Sequence, residues 1–121
     1  MKLHESAENY LETILVLSKK SSFVRSIDIA EALNFSKPSV SVAMKKLSKG
    51  GFIAVGKDGA INLTEEGLKI AEKVYDRHVF LTDWLISIGV DENVASEEAC
   101  RMEHIISQQT LEALKKNYGK K

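Results

Sequence analysis

The sequence lacks a second cysteine, a long apolar run and an excess of either charge. A single cysteine excludes an internal disulfide, and nothing suggests a secreted, disulfide-stapled framework. No apolar run approaches the roughly 20 residues that a membrane-spanning helix needs, and the N-terminal residues do not have the pattern of a signal peptide. We therefore expect a protein of the reducing cytoplasm that has no membrane partner.

The net charge is zero, but the charges are segregated along the chain. Five lysines and no acidic residue lie between Ala32 and Lys57, whereas five acidic residues and one arginine lie between Asp91 and His104. Segregation of this kind is common by chance in short windows. A basic segment is also what a surface that attracts DNA phosphates requires, so the distribution of charge is more informative than its sum.

The spacing of apolar residues predicts a mainly helical fold. With 121 residues, the chain is long enough for one domain, or for one domain and a small appendage. The first predicted helix runs from His4 to Leu17 with Ser6 as a candidate cap, and a long helix runs from Glu65 to Ile88. The long helix has more apolar surface than the elements before it can cover, and this surface is expected to pack on the C-terminal helices or on a second subunit. Those helices are predicted to begin at Asp91 or Asn93 and at Ser107.

Two short helices joined by a tight turn predict a helix-turn-helix. The first covers Ile27–Leu33, Asn34 and Phe35 form the turn, and Ser36 is the predicted N-cap of the second helix, which ends at Gly50. The alternative is a plain helical hairpin with a solvated lysine-rich face. The start and the polar faces of the second helix hold the candidate DNA contacts, since hydroxyls approach bases or phosphates and lysines attract phosphates. These candidates are Lys37, Pro38, Ser39, Ser41, Lys45 and Lys46.

A β-hairpin is predicted directly after the helix-turn-helix. The strand-like runs Phe52–Val55 and Ala60–Leu63 flank the segment Gly56–Gly59, whose Asp-Gly pair is a strong hairpin signal. A helix-turn-helix followed by a hairpin is a winged helix, and Lys57 at the wing tip is placed to contact the DNA backbone. The order of these elements favours DNA binding over the plain helical hairpin.

One stretch of a later helix carries metal-ligand chemistry. Cys100, Glu103 and His104 share a helix face because residues three and four apart are neighbours there. Thiolate, carboxylate and imidazole together suit a divalent transition metal better than Mg²⁺ or Ca²⁺. A buried Cys beside a solvated Glu/His pair gives the same pattern, and a lone helical histidine such as His78 is more often not a ligand.

Several segments resemble the diphtheria toxin repressor and manganese transport regulator family of metal-dependent bacterial repressors. The resemblance covers essentially the whole chain in register, and its most specific motif is EEACRMEH at 97–104. The other matching segments are ENYLETI at 8–14, DIAEAL at 28–33, PSVS at 38–41, LTEEG at 63–67 and RH at 77–78.

The resemblance implies a winged-helix DNA-binding domain over residues 1–64 and a helical metal-binding and dimerisation domain over 65–121, with the metal site between them. It implies a homodimer that binds a palindromic operator on double-stranded DNA when loaded with Fe(II) or Mn(II), and that represses metal-homeostasis genes. The chain would be a two-domain form without the SH3-like domain of larger members. The ligands that it implies are Cys100, Glu103 and His104, with Glu12, His78 and Asn9 as further candidates.

The chain departs from the family pattern at several of these positions. Asn9 stands where members use Met or Asp, so it could coordinate only through its amide oxygen or its backbone carbonyl. Thr82 and Ser96 replace a Glu and a His of the iron-responsive branch, whose ancillary site is expected to be absent, or rebuilt with Glu12 and Asp83. The manganese branch has Glu where Cys100 stands. A thiolate shifts the preference toward iron, cobalt or zinc, and Co²⁺, Ni²⁺ or Zn²⁺ would also bind in vitro.

Two other functions compete with metal-dependent repression. A winged-helix regulator that no longer responds to metal would keep the DNA-binding residues and lose the ligands' role. An enzyme could use Cys100 as nucleophile and His104 as base, since their spacing allows contact. No oxyanion-hole or substrate-pocket signal accompanies that pair, so we expect that the protein is not an enzyme.

Overall fold

A computed structural model of the chain describes residues 5–118. Within that range the fold is mainly α-helical with one small antiparallel hairpin, as predicted. The helices and strands, in chain order, are α1 Glu5–Lys20, α2 Ser26–Leu33, α3 Lys37–Lys49, β1 Ile53–Val55, β2 Ile61–Leu63, α4 Glu65–Ser87, α5 Glu92–Ile105 and α6 Gln108–Asn117. The described residues up to Glu72 form one compact unit and those from Lys73 form a second, so the division falls within α4.

The first helix is longer than its apolar pattern predicts. Ser6 lies inside α1 and is not its cap, while the predicted start at His4 lies outside the described residues. At the other end α1 continues past Leu17 to Lys20. The Ser18 hydroxyl donates to the Leu15 carbonyl at 2.7 Å, so this serine is satisfied within the helix. Basic residues in the last turn are favoured by the helix dipole, which explains why the polar residues Ser18, Lys19 and Lys20 remain helical.

The helix-turn-helix forms as predicted and is fixed by short polar contacts. The Asp28 carboxylate accepts the backbone N–H of Arg25 at 2.9 Å and closes the N-terminus of α2. Asn34 has φ 58°, the left-handed conformation that turns the chain toward α3. The Ser36 hydroxyl accepts the backbone N–H of Ser39 at 3.3 Å, which is the predicted N-cap.

The predicted hairpin follows α3, although its strands are one residue shorter than the strand-like runs. Val55 pairs with Ile61, and the backbone N–H of Gly56 donates to the Ala60 carbonyl at 2.9 Å. Gly59 has φ 86°, and the Asp58 side chain accepts the Ala60 N–H at 3.1 Å. The Asp-Gly pair therefore makes the turn because Gly adopts positive φ without strain.

The first unit has a continuous apolar core. It includes one face of each helix of the helix-turn-helix, the inner residue of each strand and the apolar stripe of α1, which agrees with the predicted periodicity. Gly67 at the start of α4 is buried against this unit, and a Cβ there would overlap the Phe52 carbonyl. The buried apolar residues of this unit are Tyr10, Leu11, Ile14, Leu15, Val24, Ile29, Ala30, Val40, Met44, Leu47, Ile53, Ile61 and Ala71.

The second unit packs α4, α5 and α6 around its own core. Leu81 and Leu85 of α4 pack with Ala95 and Ala99 of α5, and both alanines are fully buried. Small side chains one turn apart let the two helices approach closely. Asp91 caps α5 and Ser107 caps α6 through side-chain oxygens, as expected. Among residues 5–118, no helix is both long enough and apolar enough to cross a bilayer.

Candidate metal centre and nucleic-acid surface

The carboxylate of Glu103 on α5 is in contact with two imidazoles. Its side chain is fully buried, with Oε2 3.2 Å from Nδ1 of His78 on α4 and Oε1 3.4 Å from Nε2 of His104. The His104 side chain is 2% exposed and that of His78 is 24% exposed. The second unit therefore brings together three of the residues that the sequence analysis names as ligands.

Neither oxygen of Glu103 accepts a hydrogen bond within the described part of the chain, since the two imidazole contacts lack hydrogen-bond geometry. A buried carboxylate without hydrogen bonds is costly unless a cation compensates it. Two ligands at about 2.1 Å from one ion are about 3.0 to 3.4 Å apart in octahedral or tetrahedral geometry. The two observed separations match this spacing, so the residues fit a divalent transition metal ion.

The remaining ligand candidates lie on α5 and α1. Cys100 is partly buried on α5, one turn before His104. Glu12 is buried on α1 at 7% exposure. Asn9 is partly buried, and its backbone carbonyl already accepts the Thr13 hydroxyl at 2.8 Å. That hydrogen bond engages one of the two atoms through which Asn9 could coordinate, and its amide oxygen is the other.

The positions that depart from the iron-responsive pattern differ in their burial. The Thr82 hydroxyl on α4 is buried and has no hydrogen-bond partner among residues 5–118. Ser96 on α5 is exposed, as is Asp83 beside Thr82. Neither exposed residue is buried as Glu103 is. The substitution at position 82 places a hydroxyl where the iron-responsive branch has a carboxylate.

Arg77 is the feature of this site that the sequence analysis did not interpret. Its Nη1 donates to the backbone carbonyls of Glu103 at 3.0 Å and Ile106 at 3.1 Å, and its Nη2 donates to Oε1 of Gln108 at 2.9 Å. The arginine thus joins α4 to the turn between α5 and α6. The sequence indicates the RH pair at 77–78 only through the family resemblance, because the partners of Arg77 lie 26 to 31 residues away.

The predicted DNA-contact residues lie on the surface of the first unit. All seven candidates are exposed on α3 or at the wing tip, including Lys57 in the hairpin turn. Ser39 is partly committed to the N-cap, because its Oγ is 2.8 Å from that of Ser36. A shallow groove of about 430 Å³ runs beside this face. It adds polar residues that the sequence analysis did not name, and its lining is Ser26, Ser41, Met44, Lys45, Ser48, Lys49 and Val55.

A winged helix with an exposed lysine-bearing helix, in one chain with a buried carboxylate and imidazole cluster, defines a metal-binding transcriptional regulator. Two family models match the chain. One is the iron dependent repressor, N-terminal DNA binding domain, over residues 2–61. The other is the iron dependent repressor, metal binding and dimerisation domain, over residues 64–120.

Sequence relatives agree with both models. An HTH-type transcriptional regulator of Methanocaldococcus jannaschii is 36% identical over 115 residues, which are 93% of this chain and 92% of that protein. The transcriptional regulator MntR of Salmonella typhimurium is 35% identical over 109 residues, which are 90% of this chain and 69% of that protein. The chain belongs to the diphtheria toxin repressor and manganese transport regulator family of metal-dependent, DNA-binding transcriptional regulators. It is therefore a regulator and not an enzyme, and Cys100 with His104 is not a catalytic pair.

Solved structures have the same fold. A manganese-dependent transcriptional repressor in complex with manganese superposes with a TM-score of 0.86 at 25% identity, over 93% of this chain and 52% of that one. The manganese regulator SloR superposes with a TM-score of 0.82 at 30% identity, over 99% of this chain and 56% of that one. The chain spans about half the length of these two proteins.

Proposed function

We propose that this protein is a metal-activated repressor that binds a palindromic operator as a homodimer. In this proposal, loading with Fe(II) or Mn(II) raises its affinity for DNA and silences metal-homeostasis genes. The observation that carries the proposal is the fully buried Glu103 carboxylate, whose two oxygens accept no hydrogen bond from residues 5–118 and lie near His78 and His104. In a DNA-binding regulator, a site with this donor set would serve as the metal sensor.

His78, Glu103 and His104 would hold the ion, with Cys100 on α5 and Glu12 on α1 as the further ligands that the family resemblance predicts. A bound divalent cation supplies the positive charge that a buried carboxylate requires. Nitrogen, oxygen and sulfur donors suit first-row transition metals better than Mg²⁺ or Ca²⁺. The two solved structures named above are of manganese regulators, whereas a thiolate at Cys100 favours Fe(II), Co(II) or Zn(II), so we propose Fe(II) or Mn(II) as the physiological signal.

The winged helix would supply the DNA contacts. Lys45, Lys46 and Lys57 are exposed and would neutralise phosphates, while Ser39 and Ser41 lie near the start of α3, where short hydroxyls reach bases or phosphates. In a symmetric dimer the two α3 helices must match half-sites about 34–36 Å apart. Metal loading that favours this spacing would raise DNA affinity, and bound DNA would raise metal affinity by the same factor.

Exposed apolar residues of the second unit support the dimer. Five branched aliphatic side chains there have more than a third of their area exposed, in the region that matches a dimerisation domain. A contiguous exposed apolar patch usually marks an interaction site, and in the proposed dimer these residues would contribute to one. These residues are Val79, Ile86, Ile88, Val94 and Ile105. Analytical ultracentrifugation should find a dimer, and a monomer at micromolar concentration would contradict this part of the proposal.

DNA affinity with and without metal tests the proposal. An operator would first be selected from a randomised duplex library with protein loaded with Mn(II), or with Fe(II) under anaerobic conditions. Fluorescence anisotropy would then give the Kd for the selected duplex with metal and in EDTA. We expect the metal to tighten binding by about tenfold or more, within the usual range of allosteric coupling.

Two matched variants complete this experiment. Glu103→Gln should bind the duplex with the same weak affinity in both conditions. Glu97→Gln makes the same substitution on α5 at an exposed position and should respond to metal as the wild type does. Equal affinity of the wild type in metal and in EDTA would instead support the regulator that no longer responds to metal.

A further inference from the structure

We infer that Arg77 is a positioning residue of the metal centre, an inference that rests on the proposed function. The guanidinium would hold the backbone at Glu103 at a fixed position relative to His78, so that the ligands of α4 and α5 are already arranged before an ion binds. Arg77 itself would not touch the ion.

The hydrogen bonds of Arg77 place it at the end of α5. The last carbonyls of a helix have no partners within it, and the arginine supplies two of the missing donors. Its Nη1 donates hydrogen bonds to the Glu103 and Ile106 carbonyls at 3.0 Å and 3.1 Å, and its Nη2 donates one to the Gln108 side chain at 2.9 Å. A cation at a helix C-terminus is also favoured by the helix dipole.

The connection to the ligands is direct on both sides. Arg77 precedes His78 on α4, and it binds the backbone oxygen of Glu103, whose side chain contacts His78 at 3.2 Å. The same guanidinium therefore fixes the α4 ligand and the α5 ligand to each other through one short path. Loss of this path would let the end of α5 move and would require the ligands to be ordered when the ion binds, which lowers affinity.

Arginine is better suited to this role than lysine. All three hydrogen bonds go to neutral oxygens, so the contact depends on the position of several donors rather than on a charge pair. A guanidinium offers its donors in a rigid plane, whereas an ammonium on a flexible chain cannot hold three separated acceptors in the same way. Arg77→Lys should therefore recover only part of the function.

Metal titrations of the wild type and three variants test the inference. Arg77→Met removes all three bonds, Arg77→Lys keeps the charge, and Lys115→Met is the control. Lys115 makes another polar link within the second unit, at 2.8 Å from Asp76, and neither residue is a candidate ligand. Isothermal titration with Mn(II) and Co(II) gives the Kd, a melt in EDTA gives the stability without metal, and the visible spectrum of bound Co(II) reports its coordination geometry.

We expect Arg77→Met to weaken metal binding by about 10- to 100-fold, as is usual when an outer partner of a metal ligand is removed. Its Co(II) spectrum should change, Arg77→Lys should be intermediate, and Lys115→Met should stay within about twofold of the wild type. If Arg77→Met lowers the Tm in EDTA but leaves the Kd and the Co(II) spectrum unchanged, Arg77 is only structural and the inference is overturned.

Two further outcomes are distinguishable. Should Arg77→Met fail to fold, Arg77→Lys and Gln108→Ala decide the matter, because each removes only part of the contact; unchanged affinity and an unchanged spectrum in both would overturn the inference. Should the wild type bind neither ion, the proposed function fails at its first step. That result differs from a wild type that binds metal beside an Arg77→Met variant that binds it equally well.

Discussion

Neutralising Glu103 should have opposite effects on stability with and without metal. Without metal, the Glu103→Gln variant replaces a fully buried carboxylate, whose oxygens accept no hydrogen bond within the described part of the chain, by a neutral amide of the same shape. A buried polar group without a hydrogen bond costs about 1–3 kcal/mol, and a charged one costs more. The imidazoles at 3.2 Å and 3.4 Å offset part of this cost in the wild type.

The amide is also a buried polar group, so the substitution removes only the extra cost of the charge. We therefore expect Glu103→Gln to be more stable than the wild type in EDTA by about 1 kcal/mol or more. For a chain of this size, that gain raises the Tm by roughly 4 °C or more. With Mn(II) or Co(II) at 100 times its Kd, the wild type should gain about 2.7 kcal/mol because the ion binds only the folded state. The variant should gain almost nothing from metal. The difference between its Tm and that of the wild type should therefore become smaller or change sign when metal is added.

Differential scanning calorimetry in EDTA and in excess metal measures both effects. Glu97→Gln is the matched control, because Glu97 is 72% exposed on the same helix and its carboxylate is 3.8 Å from Arg101. Its stability should change by no more than about 0.5 kcal/mol in either condition. If Glu103→Gln is less stable than the wild type in EDTA, the imidazoles compensate the carboxylate without metal and the reasoning is refuted. If the variant keeps the full metal shift, Glu103 is not a ligand.

Three other substitutions test separate parts of the account. Cys100→Ser should weaken Co(II) and Zn(II) binding by about tenfold or more and Mn(II) binding less, since serine is a harder ligand. Equal losses of affinity for the three ions in isothermal titration would show that the thiolate sets no preference among metals. Gly67→Ala should destabilise the protein by about 3 kcal/mol or more in a urea titration, because its Cβ would overlap the Phe52 carbonyl, and an unchanged midpoint would contradict that packing. Lys45→Ala should reduce the slope of log Kd for DNA against log salt by about 0.9, whereas Lys69→Ala on α4 should leave it unchanged; identical slopes would exclude a phosphate contact at Lys45.

The elements with local signals were predicted well. Ser36, Asp91 and Ser107 each cap the helix that follows, and their side chains reach backbone groups only two or three residues away. The Asp58-Gly59 pair makes the hairpin turn for the same reason. Signals of this kind depend on short stretches of chain, so periodicity and capping rules are sufficient to find them.

Contacts between distant segments could not be predicted in the same way. Arg77 reaches oxygens 26 to 31 residues away, and nothing beside it in the sequence indicates those partners. His78 was a lone helical histidine until a family resemblance singled it out, and only the packing of α4 on α5 places it 3.2 Å from Glu103. The C-terminal end of α1 was also missed, because a polar stretch such as 18–22 is compatible with either a helix end or a break.

The central claim is that metal binding and DNA binding are coupled, and the Mn(II) affinity measured with and without DNA tests it most directly. Isothermal titration of the wild type would give the Mn(II) Kd for the protein alone and for the protein saturated with its selected operator duplex. Thermodynamic linkage requires that DNA tighten Mn(II) binding by the same factor by which Mn(II) tightens DNA binding. The account predicts two equal factors of about ten or more; an Mn(II) Kd that is the same with and without the duplex would contradict it.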